Sequence, residues 1–207
     1  IGGVPCDYDL IFDIVNRKKD FFKPNSNMQE AIGRVAVSAD TAHAFGATRH
    51  GKEVGSIADF SSFSFHAVKN FTTGEGGALT WQHMDGIDDE DVYRQLQLLS
   101  LHGQNKDALA KTQLGAWEYD IIGTWHKCNM TDVAAAMGLA QFDRYPQMLA
   151  RRREIIEKYD QAFKPFGIKV LPHYTDAHVS SGHLYITRVP GISSDRRNEI
   201  IKLMSEN

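Results

Sequence analysis

Short apolar runs alternate with segments of helical spacing along the first half of the chain, and that alternation most narrows what it can fold into. Val35-Ala36-Val37 leads into Ser38-Ala39-Asp40 and reads as a buried strand ending at Asp40. Phe60 to Phe65, rich in Phe and Ser, reads as a second strand, and Ala78 to Trp81 as a strand returning from the loop Thr72-Thr73-Gly74-Glu75-Gly76-Gly77. Asp9 to Lys19 carries Leu10, Ile11, Ile14 and Val15 at helical spacing, with Arg17, Lys18 and Lys19 at the end where cations suit the dipole. Phe21 to Asn27, with its Pro and Asn residues, reads as a loop. Asp88-Asp89-Glu90 opens a further helix, with Gly103 beyond its close. Strands alternating with helices predict an α/β layer with a mostly parallel sheet.

The second half changes character. Thr131-Asp132 opens an Ala-rich helix, Val133 to Phe142, and Pro146 suits the first turn of an amphipathic helix running to Phe163. His183 to Val189 is a strand candidate, and Ser194 or Asp195 caps a last helix running to Asn207. Long helices followed by a strand and a helix predict a smaller α+β domain, divided from the first near the long helix at 146–163. The chain lacks an initiator Met and closes inside a helical pattern, so both ends read as cut.

Composition excludes several function classes. A net charge of -3 and the lack of a basic stripe leave no field to hold nucleic acid. No apolar run reaches the length of a membrane span, and Ile1 to Pro5 is no signal peptide. Cys6 and Cys128 lie far apart without a C-x-x-C pair, so neither a zinc site nor a disulfide framework is indicated, and a reducing, cytoplasmic home fits.

Chemistry concentrates between Asp40 and Gly77. An acid at the C-terminal end of a buried strand is a common active-site placement in open α/β sheets, though taken alone Asp40 is more simply a cap or loop carboxylate. Lys69 follows an aromatic strand nearly free of charge and precedes a Gly-rich turn; partial desolvation there makes a nucleophilic amine, while an isolated lysine is more often an exposed loop residue. Thr72 to Gly77 lacks the Gly-Lys-Ser/Thr end of a Walker loop and alone is a tight turn. Ser64 suits a phosphate ligand or an ordinary strand residue. The order acid, His, Ser, Lys, Gly-rich turn matches what a pyridoxal-phosphate (PLP) site requires: an amine, a carboxylate for the pyridine nitrogen and hydroxyl or amide donors for the phosphate.

Asp40-Thr41-Ala42-His43-Ala44-Phe45-Gly46, Phe63-Ser64-Phe65-His66-Ala67-Val68-Lys69-Asn70 and Thr72 to Gly77 together resemble the DegT/DnrJ/EryC1/StrS aminotransferases, fold-type-I PLP enzymes that aminate keto-sugar nucleotides. Gly2 to Asp7, Asn129 to Ala135, Gly138 to Phe142, Arg152-Arg153, Tyr159 and His183-Leu184-Tyr185 extend the resemblance over nearly the whole chain. It implies that residues 1–145 are part of the large, mostly parallel sheet domain that binds PLP, and that 146–207 are a linking helix and the start of a small C-terminal α+β domain. It implies Lys69 as the Schiff-base lysine and proton carrier, Asp40 as the acid at the pyridine nitrogen, His43 beside the ring and Ser64 on the phosphate. Asn129, or Lys127, is implied to reach the cofactor of a partner subunit in a homodimer with shared active sites. The implied reaction moves an amino group from an amino acid, L-glutamate first, to a sugar ketone.

Departures from the family pattern lie at Thr41, where Ala is usual, and at Trp125-His126, which replaces a Gly-Tyr pair; these positions are expected to face substrate or interface. Two rival readings stand beside transamination. Sugar dehydratases of the family carry His at the lysine position, whereas here it is Lys69. A catalytically silent module is the other, since family members are much longer, with an N-terminal part that supplies phosphate ligands and a stacking aromatic.

Overall fold

The computed structural model describes residues 1–105 and 118–206. Helix α1 (Tyr8–Arg17) starts where the Asp7 carboxylate accepts from the Leu10 amide, and it ends on Arg17, the charge order the helix dipole favours. A short α2 (Asn27–Ile32) follows, capped by the Ser26 hydroxyl and stopped at Gly33 in the left-handed conformation. The sequence pattern marks no element there, because fewer than two turns are too short for a helical period to show.

Strand β1 (Ser38–Asp40) ends at Asp40 as expected, but its lead-in does not join it, and Val35 is 58% exposed. A bidentate ion pair explains why. Arg34 donates to Asp59 through both terminal nitrogens (2.7 and 2.8 Å) and to the Val35 carbonyl, while Asp59 accepts from the Val37 amide. Side chains thus take the hydrogen bonds that a longer ladder would have used.

A tight hairpin of β2 (Thr48–Arg49) and β3 (Lys52–Glu53) leads to β4 (Phe60–Ser64) and β5 (Gly77–Trp81). β4 lies between β1 and β5, parallel to the first and antiparallel to the second. The expected mostly parallel sheet is therefore mixed among the described residues. The Gly-rich connection into β5 carries no crossover helix and returns the chain as a hairpin does.

Helix α3 (Asp89–Ser100) is capped by Asp88, α4 (Asp132–Phe142) by the Thr131 hydroxyl, and α5 (Tyr145–Phe163) holds Pro146 in its first turn. β6 (Lys169–Val170) pairs with β8 (Thr187–Arg188), and β7 (His178–Val179) pairs with β2. Helix α6 (Ser194–Ser205) is capped by Ser193, one residue ahead of the expected caps. The strand expected over His183 to Val189 is reduced to β8. Leu184 within that expected strand binds the N-terminal turn instead, its amide donating to the Gly2 carbonyl, and just ahead of it the Ser181 amide donates to the Gly3 carbonyl.

The largest buried aromatic cluster joins the loops around the C-terminal ends of β1 and β4 to the long helix. Phe65, Phe71 and Tyr145 are buried together, with Phe45 packed among them at ring distances of 4.9 to 5.4 Å. Such packing fixes backbone positions, because interiors are dense and leave side chains few alternative rotamers.

Candidate active site

The parallel register sets Asp40 opposite Ser62, so β1 and β4 end side by side, Asp40 closing one and Ser64 the other. Ligands of open α/β sheets bind outside such carboxyl ends. His43, Ser64, Lys69, Asn70 and His183 line a narrow cleft there. Asp40 lies two residues before Ala42, which also lines it, and its Oδ1 accepts from the Ala42 amide at 3.0 Å. Thr41 does not face a substrate as expected. It is buried, and both its amide and its hydroxyl donate to the Ser62 carbonyl (2.9 and 2.7 Å), tying the loop to β4. Trp125 and His126 are exposed and lie outside the cleft lining.

Lys69 is half-buried, in a turn where its amide donates to the His66 carbonyl at 2.9 Å. Among the described residues its amine has no hydrogen-bond or ion-pair partner. Ser64 Oγ accepts from the His66 amide at 3.3 Å and has no acceptor for its own hydrogen among those residues. A primary amine, a carboxylate engaged only by its own turn, and a hydroxyl with a free hydrogen are the donor set that PLP's aldehyde, pyridine nitrogen and phosphate call for, so the residues fit that group.

Two imidazoles complete the cleft, their ring centroids 4.3 Å apart and their planes tilted by 51°. His43 Nδ1 accepts from the Gly2 amide at 3.3 Å, and the Ser181 hydroxyl donates to the His43 carbonyl at 2.6 Å. His183 Nδ1 lies 2.8 Å from Asn70 Oδ1, and Asn70 Nδ2 donates to the Ser181 carbonyl at 2.7 Å. Burial, then the charge of Lys69, lowers the His43 pKa, while Asp40 acts in the opposite sense. His183 is lowered to about 4 by burial, then by His43, Lys69 and Arg152. Both rings are neutral at neutral pH.

Of the candidates named from the sequence, His43, Ser64 and Lys69 line the cleft and Asp40 stands two residues before its lining residue Ala42, whereas Asn129 does not join them. It is exposed, outside the cleft lining, and accepts from Lys127 Nζ at 3.1 Å. Asn70, Ser181 and His183 were not expected as site residues. Asn70 and His183 both stand inside the resemblance motifs, but no sequence signal joins positions that far apart. Among the described residues no cluster of three or more His, Cys, Asp and Glu could hold a metal ion, and no helix is long and apolar enough to cross a membrane.

The DegT/DnrJ/EryC1/StrS aminotransferase family model matches residues 29–207. The PMP form of Spr1654 from Streptococcus pneumoniae, described as a sugar aminotransferase, is 54% identical; the match covers 100% of this chain and 52% of that one, with a TM-score of 0.93. Its PLP form is 50% identical over the same 100% of this chain and 50% of that one, with a TM-score of 0.91. Spore coat polysaccharide biosynthesis protein SpsC of Bacillus subtilis is 35% identical over 189 residues, which are 91% of this chain and 43% of SpsC. The chain spans about half the length of these relatives.

Proposed function

The chain belongs to the DegT/DnrJ/EryC1/StrS aminotransferase family, and from that premise we propose that it carries the cofactor-anchoring part of a PLP-dependent sugar aminotransferase. Its fold is the α/β fold of fold-type-I PLP transferases, with the division at 145/146 between the large domain and the start of the small one. The proposed donor is an amino acid, L-glutamate first, and the acceptor a keto-sugar nucleotide; the products are a 2-keto acid and an amino sugar. The observation that carries this reading is the placing of Lys69 and Ser64 in a cleft beside Asp40, at the carboxyl ends of two parallel strands, the lysine amine having no partner among the described residues.

When bound, PLP supplies a carbonyl that takes up the donor's nitrogen and a ring that delocalises the electrons freed at the reacting carbon. Lys69 anchors the cofactor through Nζ and moves a proton at that same atom as base and then acid. Asp40 holds a proton on the pyridine nitrogen, since an adjacent carboxylate favours the cationic form. Ser64 donates its free hydroxyl hydrogen to the phosphate, and His43 steadies the ring side. Asn129, or Lys127, serves the site of a second copy in a homodimer with shared sites. Two exposed free cysteines, Cys6 and Cys128, suit a reducing, cytoplasmic setting. Lys69 also favours transamination over dehydration, the family's dehydratases having His at that position.

Visible absorbance tests this reading. PLP added to the protein is expected to give a band that borohydride bleaches and that Lys69→Ala lacks. Absence of that band from the 207-residue chain, with the band present in the intact protein, assigns the chain to the silent-module reading when alone. Absence from the intact protein as well sinks the cofactor assignment.

A further inference from the structure

Asn70 follows Lys69 in sequence and is only 6% exposed. Both ends of its amide make a contact. Nδ2 donates to the Ser181 carbonyl at 2.7 Å. The reversed amide would set oxygen against the Ser181 carbonyl oxygen, two acceptors with no hydrogen between them. Oδ1 therefore faces His183. A carbonyl oxygen only accepts, so the hydrogen in the 2.8 Å contact sits on His183 Nδ1, and Nε2 is left bare.

His43 is fixed the other way. The Gly2 amide can only donate, so Nδ1 of His43 is bare and its neutral ring carries hydrogen on Nε2. We propose that Asn70 is a positioning residue that holds His183 in its neutral Nδ1–H form, so that His183 and His43 stand beside Lys69 as one hydrogen-bond acceptor and one donor. The charged groups facing His183 are Lys69 and Arg152, with His43 as the neighbouring titratable ring, and all three oppose a proton on it. A charged ring at 183 would donate from both nitrogens and crowd a further cation against Lys69. The neutral ring keeps one lone pair for a hydrogen brought by a ligand, such as a hydroxyl or an ammonium group. That last consequence rests on the aminotransferase reading; the protonation pattern does not.

Nitrogen-15 NMR of the histidine rings, recorded without cofactor, tests this directly. In the unaltered protein His183 is expected to show a protonated Nδ1 and a bare Nε2 from about pH 7 down to about pH 5, below its ordinary titration range, with His43 showing the reverse pattern at about pH 8, above the ordinary range of an imidazole. Asn70→Asp keeps an oxygen at the ring but adds charge, and is expected to raise the His183 titration by about one to three units, the effect of an adjacent opposite charge. Asn70→Leu is expected to mix the two tautomers. A protonated Nε2 on His183 in the unaltered protein overturns the proposal without any variant having to fold. An unmoved titration in Asn70→Asp overturns it as well. If the tautomers are as stated but the intact protein binds no PLP, only the aminotransferase reading fails; if PLP binds through Lys69 while His183 carries its hydrogen on Nε2, only this one does.

Discussion

Asp40 and Lys69 are each followed by a buried polar residue whose hydrogen bonds run to the backbone of another segment, Thr41 to Ser62 and Asn70 to Ser181. The reactive side chain is left accessible while its neighbour fixes the backbone, so position is set without occupying the functional group. Asp40→Asn tests the division. The turn hydrogen bond to the Ala42 amide survives, because an amide oxygen also accepts. Cofactor binding is expected to persist, while transamination falls by roughly two orders of magnitude or more, the scale of lost acid–base assistance. Turnover at the parent rate in steady-state assays would remove Asp40 from its role. The sequence made Asp40, His43, Ser64 and Lys69 legible because they lie within thirty residues on two strand ends and their turns. Asn70 and His183 were hidden by the opposite circumstance: their meaning lies in a contact across 113 positions.

Among the elements, helices with polar caps and the strands β1, β4 and β5 were legible, whereas the two-residue strands β2, β3, β6 and β7 were too short to show a pattern. Asp88 and Thr131 both cap where composition indicates. The segment from His183 to Val189 reads as a strand by its residue types, yet its Leu184 is held by the N-terminal turn, whose part no local pattern announces. Gly3 marks that junction. Its φ is +96°, and a Cβ there would stand 2.5 Å from Ser181 Oγ and 2.9 Å from the Gly182 amide nitrogen. Ser181 is the residue that binds the His43 carbonyl, so the crowding reaches the cleft. Gly3→Ala is expected to lower stability by about 1–3 kcal/mol, the range for overpacking in a dense site, and to disturb the His43 ring signals in NMR. A urea midpoint equal to that of the parent would show that the turn does not brace this segment.

Across the whole molecule, the stretch from His173 to His183 links α5, the N-terminal turn and the cleft, and it buries two imidazoles in doing so. His173 is 2% exposed, its Nδ1 lies 3.0 Å from Ser180 Oγ, and its ring stacks on Tyr185 at 5.9 Å. Its Nε2 is buried without a hydrogen-bond partner among the described residues, and burial lowers its pKa. A depressed histidine makes stability depend on pH with a definite sign. The unfolded chain takes up the proton near pH 6.5, whereas folded His183 does so only near pH 4, so between those values the unfolded state binds more protons. Stability is fully present above about pH 6.5 and declines as the pH falls toward about 4, where the His183 contribution levels off. His83 acts in the opposite sense, because Asp89 raises its pKa, but that pair is wholly exposed and solvent screens it. Asp9 and Asp89, both lowered, add stability that is present above the ordinary carboxylate range and is lost only as the pH falls through and below it. Urea midpoints measured from about pH 7.5 to about pH 4.5 are therefore expected to fall steadily in the parent. They are expected to fall less steeply in His183→Gln, which keeps a polar side chain but cannot titrate. A parent midpoint that stays level or rises as the pH drops through this window would mean that the two rings are not held neutral by the fold.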